Sequence, residues 1–331
     1  MNEPPLSDGA RWLAAAASVA ARGLPLSRPN PAVGAVIVKQ GRVVGRGWTQ
    51  PGGRPHAEAM ALAMAGRAAK GATLYVTLEP CAHDSQRGPA CAALVTASGL
   101  ARVVVGAQDP DPRTAGEGLA RIRAAGIECD VHAIAEADLS LAGYLTRRTM
   151  NRPHITLKLA TSLDGCIALA SGESQWITGE AARAHTHAMR ARADAILVGG
   201  GTLRADAPRL DVRLPGLEAR SPERWVLTRG AAPSGWQALS SPDAVSDMAD
   251  VQYLLVEGGA QAAAAFLAAG LVDRLLLYRA PIVIGGGRPA IGDIGLASLA
   301  EAHGQWRISD RRQLGSDTLE VYERAPCSQA Q

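Results

Sequence analysis

The chain has 331 residues, of which 47% are hydrophobic, and a formal net charge of +3 at pH 7. That length exceeds a typical single domain and suits two, with enough apolar residues for real cores. The small charge, without any lysine/arginine block interleaved with aromatics, gives no support to nucleic-acid binding, and no stretch approaches a membrane span. The start, with Glu3, Pro4, Pro5 and Asp8, and the apolar run Trp12 to Ala21 lack a basic leader, so a secretory signal is not expected. The cysteines at 81, 91, 129, 166 and 327 fit reduced thiols and a metal site better than a disulfide framework, which points to a cytoplasmic setting. Lysine occurs only at 39, 70 and 158, a bias that singles out Lys158.

Ser7 or Asp8 is placed to cap a first helix from Gly9 to Arg22. The runs Val33 to Val38 and Arg42 to Thr49 flank Lys39-Gln40-Gly41, a hairpin signal. A helix is expected to begin near His56 and carry Glu58, Met60, Leu62 and Met64. It is followed by a strand over 73–78, a helix from near Cys91 and a strand from Arg102 to Gly106. A helix around Gly118 to Ala125, a strand Ile127 to Val131 and a helix Glu136 to Arg148 complete this half. The alternation argues for a three-layer α/β/α sandwich. Thr149-Met150-Asn151-Arg152-Pro153, a polar segment closing on proline, separates a domain of residues 1–150 from one of residues 151–331. Beyond it a second α/β pattern begins. Strands are expected at His154 to Thr161, Ala195 to Gly199, Arg224 to Thr228, Val251 to Glu257 and Arg274 to Tyr278, with helices at Glu180 to Arg192 and Ala260 to Ala269.

The chemistry of the first half lies in His56-Ala57-Glu58, Leu78-Glu79-Pro80-Cys81 and Cys91. One imidazole and two thiolates are three zinc ligands, and a three-ligand zinc keeps its fourth position for a water whose pKa falls to about 7. Glu58 stands beside the metal ligand without being one, as a proton shuttle for hydrolytic deamination requires. The ligand segments fall at helix N-termini, where the positive dipole end favours thiolate. The spacing departs from the P-C-x-x-C of zinc deaminases, because nine residues separate Cys81 from Cys91. A closed structural zinc with His83 as fourth ligand stays open at this level.

In the second half, Val198-Gly199-Gly200-Gly201-Thr202 and Val256-Glu257-Gly258-Gly259 stand at strand ends. The second opens into a helix, so the backbone amides of Gly259, Ala260, Gln261 and Ala262 can hold a phosphate; the alternative is a plain glycine turn. Neither cluster is G-x-G-x-x-G. Polar groups gather at Ser162 to Gly165, Ser171 to Thr178, Arg190, Arg204 to Pro208 and Arg213; two arginines and a serine suit a substrate phosphate.

Taken in order, Pro29 to Gly34, His56 to Glu58, Val76 to Cys81, Gln108 to Pro112, Leu157 to Gly165, Ser171 to Thr178, Ala205 to Pro208 and Val256 to Gly259 make the whole chain resemble the bifunctional deaminase-reductase family of riboflavin biosynthesis. The resemblance implies a cytidine-deaminase-like domain followed by a dihydrofolate-reductase-like domain. It implies Zn2+ on His56, Cys81 and Cys91 with Glu58 as shuttle, and phosphorylated pyrimidine substrates touched by Asn30, Asp109 and Asp111, with His83 facing the phosphate. In the second domain it implies NADPH against Ala160, Trp176, Thr202, Asp206 and the segment from Gly259. Substrate would meet Ser174, Arg190, Leu210, Arg213 and Glu257, and Lys158 as a polar contact near the ribose. A dimer through the second domain is the family-based expectation.

The chain departs from the family in three places. The zinc loop Cys81 to Cys91 is one residue longer, with Arg87 as the candidate basic contact. Asp111 stands where the family commonly has Asn, so it needs a compensating donor. The stretch between Arg213 and Val251 is short, and Thr228-Arg229-Gly230 lacks the usual acidic residue. The competing readings are a stand-alone nucleobase or transfer-RNA deaminase, a binding module with structural zinc, and a deaminase with a degenerate reductase half.

Overall fold

The computed structural model describes residues 8–325. The expected cap Ser7 and Cys327 lie outside the described residues. The chain divides into two compact units, Met1–Asn151 and Arg152–Gln331.

The first unit runs α1 (Asp8–Ala20), β1 (Gly34–Lys39), β2 (Arg42–Trp48), α2 (Ala57–Ala65), β3 (Thr73–Leu78), α3 (Cys91–Thr96), β4 (Arg102–Ala107), α4 (Glu117–Ala124), β5 (Glu128–Val131) and α5 (Ala135–Met150). Its sheet has the order β2-β1-β3-β4-β5, with β1 antiparallel to both neighbours and β3, β4 and β5 parallel. Alternation along the strands decides which side chain meets which layer. Ala35, Ile37, Leu74, Val76, Val103 and Val105 meet α2, α3 and α4 on one face, while Val36, Val38, Tyr75 and Val104 meet α1 on the other, where α5 also lies. This is the expected three-layer sandwich.

Alanine and glycine set how closely the helices lie. Ala57, Ala61 and Ala65 bury one face of α2 against β2. A Cβ added at Gly47 would stand 2.3 Å from Ala57 O, and one at Gly45 the same 2.3 Å from Ala61 O. The helix backbone therefore rests on the strand with no side chain between, which fixes the height of His56 and Glu58 above the sheet.

The second unit contains β6 (His154–Thr161), β7 (Cys166–Ala168), α6 (Glu180–Arg190), β8 (Ala195–Gly199), α7 (Gly200–Asp206), β9 (Glu223–Leu227), β10 (Gln237–Leu239), β11 (Tyr253–Val256), α8 (Ala260–Ala268), β12 (Arg274–Arg279), β13 (Arg288–Pro289), β14 (Trp306–Leu314) and β15 (Asp317–Arg324). The main sheet has the order β10-β9-β8-β11-β6-β12-β15-β14. It is parallel from β10 to β12 and is closed by an antiparallel hairpin. β7 and β13 form a separate pair. In such sheets ligands bind beyond the carboxyl ends of the parallel strands.

The hairpin β14–β15 was not among the expected elements. Its sequence is dense in Arg, Asp and Glu, and the charges are paired across strands: Glu323 with Arg274 and Glu320 with Arg279, both arginines on β12. Glu320 and Glu323 are buried. Periodicity in hydrophobicity alone does not register such a strand. The first glycine cluster also opens into a helix, α7, which the sequence reading gave only to the second.

Gly47→Val should lower the stability of the first unit by at least about 2 kcal/mol, because the backbone at Ala57 has to move. Gly201→Ala, with nothing within 4 Å of the added Cβ, should leave stability unchanged or raise it slightly. Urea unfolding of the two full-length variants against the wild-type chain checks both.

Candidate metal centre and ligand cavity

β3 ends at Leu78 and delivers Glu79-Pro80-Cys81, α3 begins at Cys91, and His56 is the N-cap of α2. These three points bring the ligand atoms of His56, Cys81 and Cys91 within 4.8 Å of one another. The His56 atom that faces them is Nδ1, 3.6 Å from Cys81 Sγ and 3.3 Å from Cys91 Sγ. Nε2 is turned away, 3.1 Å from Asn30 Nδ2. Asn30 Nδ2 donates to Gly53 O at 3.1 Å, and the residue expected at the substrate lies against the outer edge of the ligand ring.

The donor set fits a dication. Cys91 hydrogen-bonds Cys81, holding the Cys81 thiol down to about 4, with further help from His56. Cys91 is pushed up, first by that hydrogen bond and then by burial and by the charges of Glu58 and Cys81. The pocket therefore accepts one negative sulfur readily and resists the second, a deficit that bound Zn2+ would make up. His83 is not part of the cluster; its Nδ1 lies 3.5 Å from Thr114 Oγ1. Among the described residues the cluster thus has three members, as an open site requires. Glu58 is buried beside Cys91 and outside the ligand set. Burial raises its pKa, opposed in part by His56.

Glu79 acts elsewhere. Its buried carboxylate accepts the N–H groups of Asp109 at 3.3 Å, Gly116 at 3.0 Å and Leu119 at 3.1 Å, tying the segment before α4 to the Cys81 strand end. Gly118 lets α4 close on it, since a Cβ there would stand 2.0 Å from Pro80 O. Asp109 Oδ1 accepts from Tyr144 Oη at 2.8 Å and from Asp111 N at 2.9 Å. Burial raises the Asp109 pKa despite both bonds. Asp111 is buried too, and it has the compensating donors that its charge demands: Arg113 at 2.6 Å and Arg148 at 2.7 Å. Hydrogen bonding by Arg113 is the largest cause holding its carboxyl down to about 2. The sequence reading missed Tyr144, Arg113 and Arg148, which carry no motif of their own. In the lengthened zinc loop, Arg87 Nη1 donates to Gly52 O at 2.7 Å and Arg54 Nη1 to Pro89 O at 3.2 Å, so two arginines stitch the loop to the segment before His56.

In the second unit a cavity of about 270 Å³ opens beyond the ends of β6 and β11. Of the expected cofactor residues, Ala160, Trp176, Thr202, Asp206 and Gly259 line it; of the expected substrate residues, Lys158, Ser174, Arg190, Arg213 and Glu257 do. Gly259 caps α8, and a Cβ there would stand 2.8 Å from Thr202 Oγ1, so the two glycine turns meet closely. Ala260, Gln261 and Ala262 are not in the lining; they form the first turn of α8, whose N–H groups have no helical acceptor. Leu210 is also absent from the lining, because its side chain is buried in a core with Ile196, Val198 and Leu255.

Arg190 donates from Nε and Nη2 to Glu257 at 2.6 and 2.8 Å, and from Nη1 to Asp211 O at 3.1 Å. The fork expected to grip a phosphate is therefore spent within the protein. Burial would raise Glu257, but the hydrogen bonds from Arg190 and the charges of Lys158 and Arg190 hold it low. Burial lowers Lys158, which Glu257 partly offsets. Arg183, Thr186 and His187 also line the cavity and were missed. With Arg190 they follow helical spacing on α6, a signal that one known residue on that helix could have exposed.

Two family models match separate stretches of the chain. A family model described as RibD C-terminal domain matches residues 153–319, and one described as the cytidine and deoxycytidylate deaminase zinc-binding region matches residues 7–107. The riboflavin biosynthesis protein RibD of Escherichia coli is 40% identical, over 92% of this chain and 96% of its own length. That of Aquifex aeolicus is 36% identical, over 95% and 98%. The structure of Acinetobacter baumannii RibD aligns with a TM-score of 0.83 at 34% identity, covering 96% of this chain and 99% of its own. A Thermotoga maritima diaminohydroxyphosphoribosylaminopyrimidine deaminase/5-amino-6-(5-phosphoribosylamino)uracil reductase aligns with a TM-score of 0.83 at 30% identity, with the same coverage.

The Asp111 cluster yields a pH prediction. The folded-state value lies below the unfolded 3.8, so the stabilisation is complete above about pH 4 and is lost as pH falls through about 2. Allowing for screening at the exposed Arg113, it amounts to about 1–2 kcal/mol. Asp111→Asn should cost that much at pH 6 and clearly less at pH 3, measured as the difference in urea midpoint from the wild-type chain.

Proposed function

Because the chain belongs to the RibD family of riboflavin biosynthesis, we propose that residues 1–150 deaminate 2,5-diamino-6-(5-phosphoribosylamino)pyrimidin-4(3H)-one and that residues 151–331 reduce the ribosyl group of the product to ribityl. The enzyme is a deaminase and reductase with zinc and NADPH as cofactors. The observation that carries the reading is the meeting of one imidazole nitrogen and two thiols beside a buried carboxylate outside the ligand set.

His56 Nδ1, Cys81 Sγ and Cys91 Sγ would hold zinc, which when bound would supply a water acidic enough to lose a proton near neutral pH. Glu58 accepts that proton, and burial, by raising its pKa, suits it to hand the proton to the ring nitrogen and then to the departing ammonia. Asn30, against the outer edge of His56, and Asp109, fixed by Tyr144, together with Asp111 border the substrate. His83, held near Thr114, faces the phosphate side.

The second site would hold NADPH, which when bound would supply hydride to C1' of the ring-opened sugar. Trp176, Thr202, Asp206, Ala160 and the first turn of α8 border the cofactor; Lys158 and Glu257 meet the ribose, and Ser174 and Arg213 reach the rest of the substrate. The intact cavity with its buried Lys158–Glu257–Arg190 cluster favours a working reductase over a degenerate one. We place the enzyme in the cytoplasm, acting on small molecules rather than RNA, as a dimer through its second domain. Among the described residues no helix is long and apolar enough to cross a membrane.

Glu58→Gln should keep stoichiometric zinc while ammonia release falls by on the order of 10²–10⁴; full activity would remove Glu58 from the mechanism. On the zinc-loaded wild-type chain, the diaminopyrimidine ribosyl phosphate should release ammonia with or without NADPH, and NADPH should be consumed only after deamination. Ammonia without NADPH consumption would favour the degenerate reductase.

A further inference from the structure

α6 turns Arg183, Thr186, His187 and Arg190 toward the cavity of the second unit. Lys158, Arg183, Arg190 and Arg213 in the lining outnumber Asp206 and Glu257, so the cavity favours an anion. Most of these cations are already spent. Arg190 is saturated by Glu257 and Asp211 O. Arg183 donates to Thr178 O at 2.7 Å and lies 5.0 Å over the Trp176 ring. Lys158 is half-buried with Glu257 as its counter-charge. Arg213 is half exposed, its sole ion pair among the described residues a 3.5 Å approach to Asp211.

His187 is the remaining basic side chain of the lining. Its Nδ1 is 3.1 Å from Asp211 O and 3.3 Å from the Arg213 N–H, so the backbone of one loop fixes the ring in either tautomer. Asp211 O also receives Arg190 Nη1, which joins His187 and the Arg190–Glu257 pair to one anchor. Nε2 has no hydrogen bond among the described residues. We propose that His187 is a binding residue for the phosphate of the reductase substrate, donating from Nε2 alongside Arg213. This rests on the reductase reading above, and it gives the phosphate the donor that the occupied Arg190 fork does not.

The charged groups that face His187 are Arg183 and Arg190 on its own helix, Arg213 and Asp211 from the adjoining loop, Glu257 after β11, Lys158 on β6 and Asp206 on α7. Burial, then Arg190 and Arg213, lower its pKa from 6.5, so the ring is neutral at pH 7.5 in the free protein. A phosphate dianion favours the doubly protonated ring, whose Nδ1–H is received by Asp211 O. Binding therefore takes up a proton, and affinity falls as pH rises.

The test is calorimetry of ribose 5-phosphate, with ribose as control, on the full-length wild-type chain and on His187→Gln, in two buffers of different ionisation enthalpy at pH 7.5. The expected result is proton uptake by the wild type, none by the variant, about tenfold weaker phosphate binding by the variant, and no difference with ribose. Equal uptake and affinity in both proteins, or no binding of ribose 5-phosphate by the wild type, would overturn the proposal. Histidine Cε1 resonances of the unsubstituted protein give a readout independent of the variant's folding: one of the seven must move toward the imidazolium position on adding ribose 5-phosphate. Turnover separates the two levels. Absence of NADPH oxidation with the pyrimidine substrate counts against the reductase reading, while calorimetry still decides His187. With turnover present, the variant should raise KM at constant kcat and lose the wild-type rise of KM with pH.

Discussion

A buried pocket that holds two thiols against one imidazole cannot ionise both sulfurs unaided, and the first unit is organised around that fact. The pKa directions of Cys81 and Cys91 diverge first because the hydrogen bond between them favours one thiolate at the expense of the other, and then because burial and the charges of Glu58 and Cys81 oppose a second negative sulfur. A dication resolves the conflict, so metal binding and completion of the site are one event. The requirement reaches the scaffold. His56 can meet the sulfurs only if α2 lies at the right height, which Gly45 and Gly47 permit by letting Ala57 and Ala61 rest on β2. Glu79 serves the same end from the opposite side, fastening the loop that carries Asp109 to the strand end that delivers Cys81.

The ligand set was legible because its chemistry restricts residue type: only a few side chains bind zinc, and their order and spacing were visible as letters. Most strands with an apolar period were legible for a comparable reason, and the strand His154–Thr161 matches its expected bounds. What escaped the sequence depends on pairing in space. Glu320 and Glu323 read as surface charges until Arg274 and Arg279 stand opposite them. Asp111 read as an uncompensated carboxylate, and only the return of α5 brings Arg148 to it. Arg190 was identified as a polar group near the phosphate, yet nothing local shows that Glu257, 67 positions later, takes up its fork.

The two units handle buried charge in opposite ways. In the first, two buried thiols meet one imidazole beside a Glu58 whose pKa burial raises, so that a cation suits the donor set and a proton carrier stands next to it. In the second, the protein neutralises its own carboxylate: Glu257 is hydrogen-bonded by Arg190 and faces the charge of Lys158, so the carboxylate has partners of opposite sign. A self-neutralised cluster holds shape but has little attraction left for an incoming anion. The attraction must come from groups not yet committed, which is why the weakly engaged edge of the cavity, at Arg213 and His187, matters more for recognising a phosphate than the strongly bonded arginine at its centre.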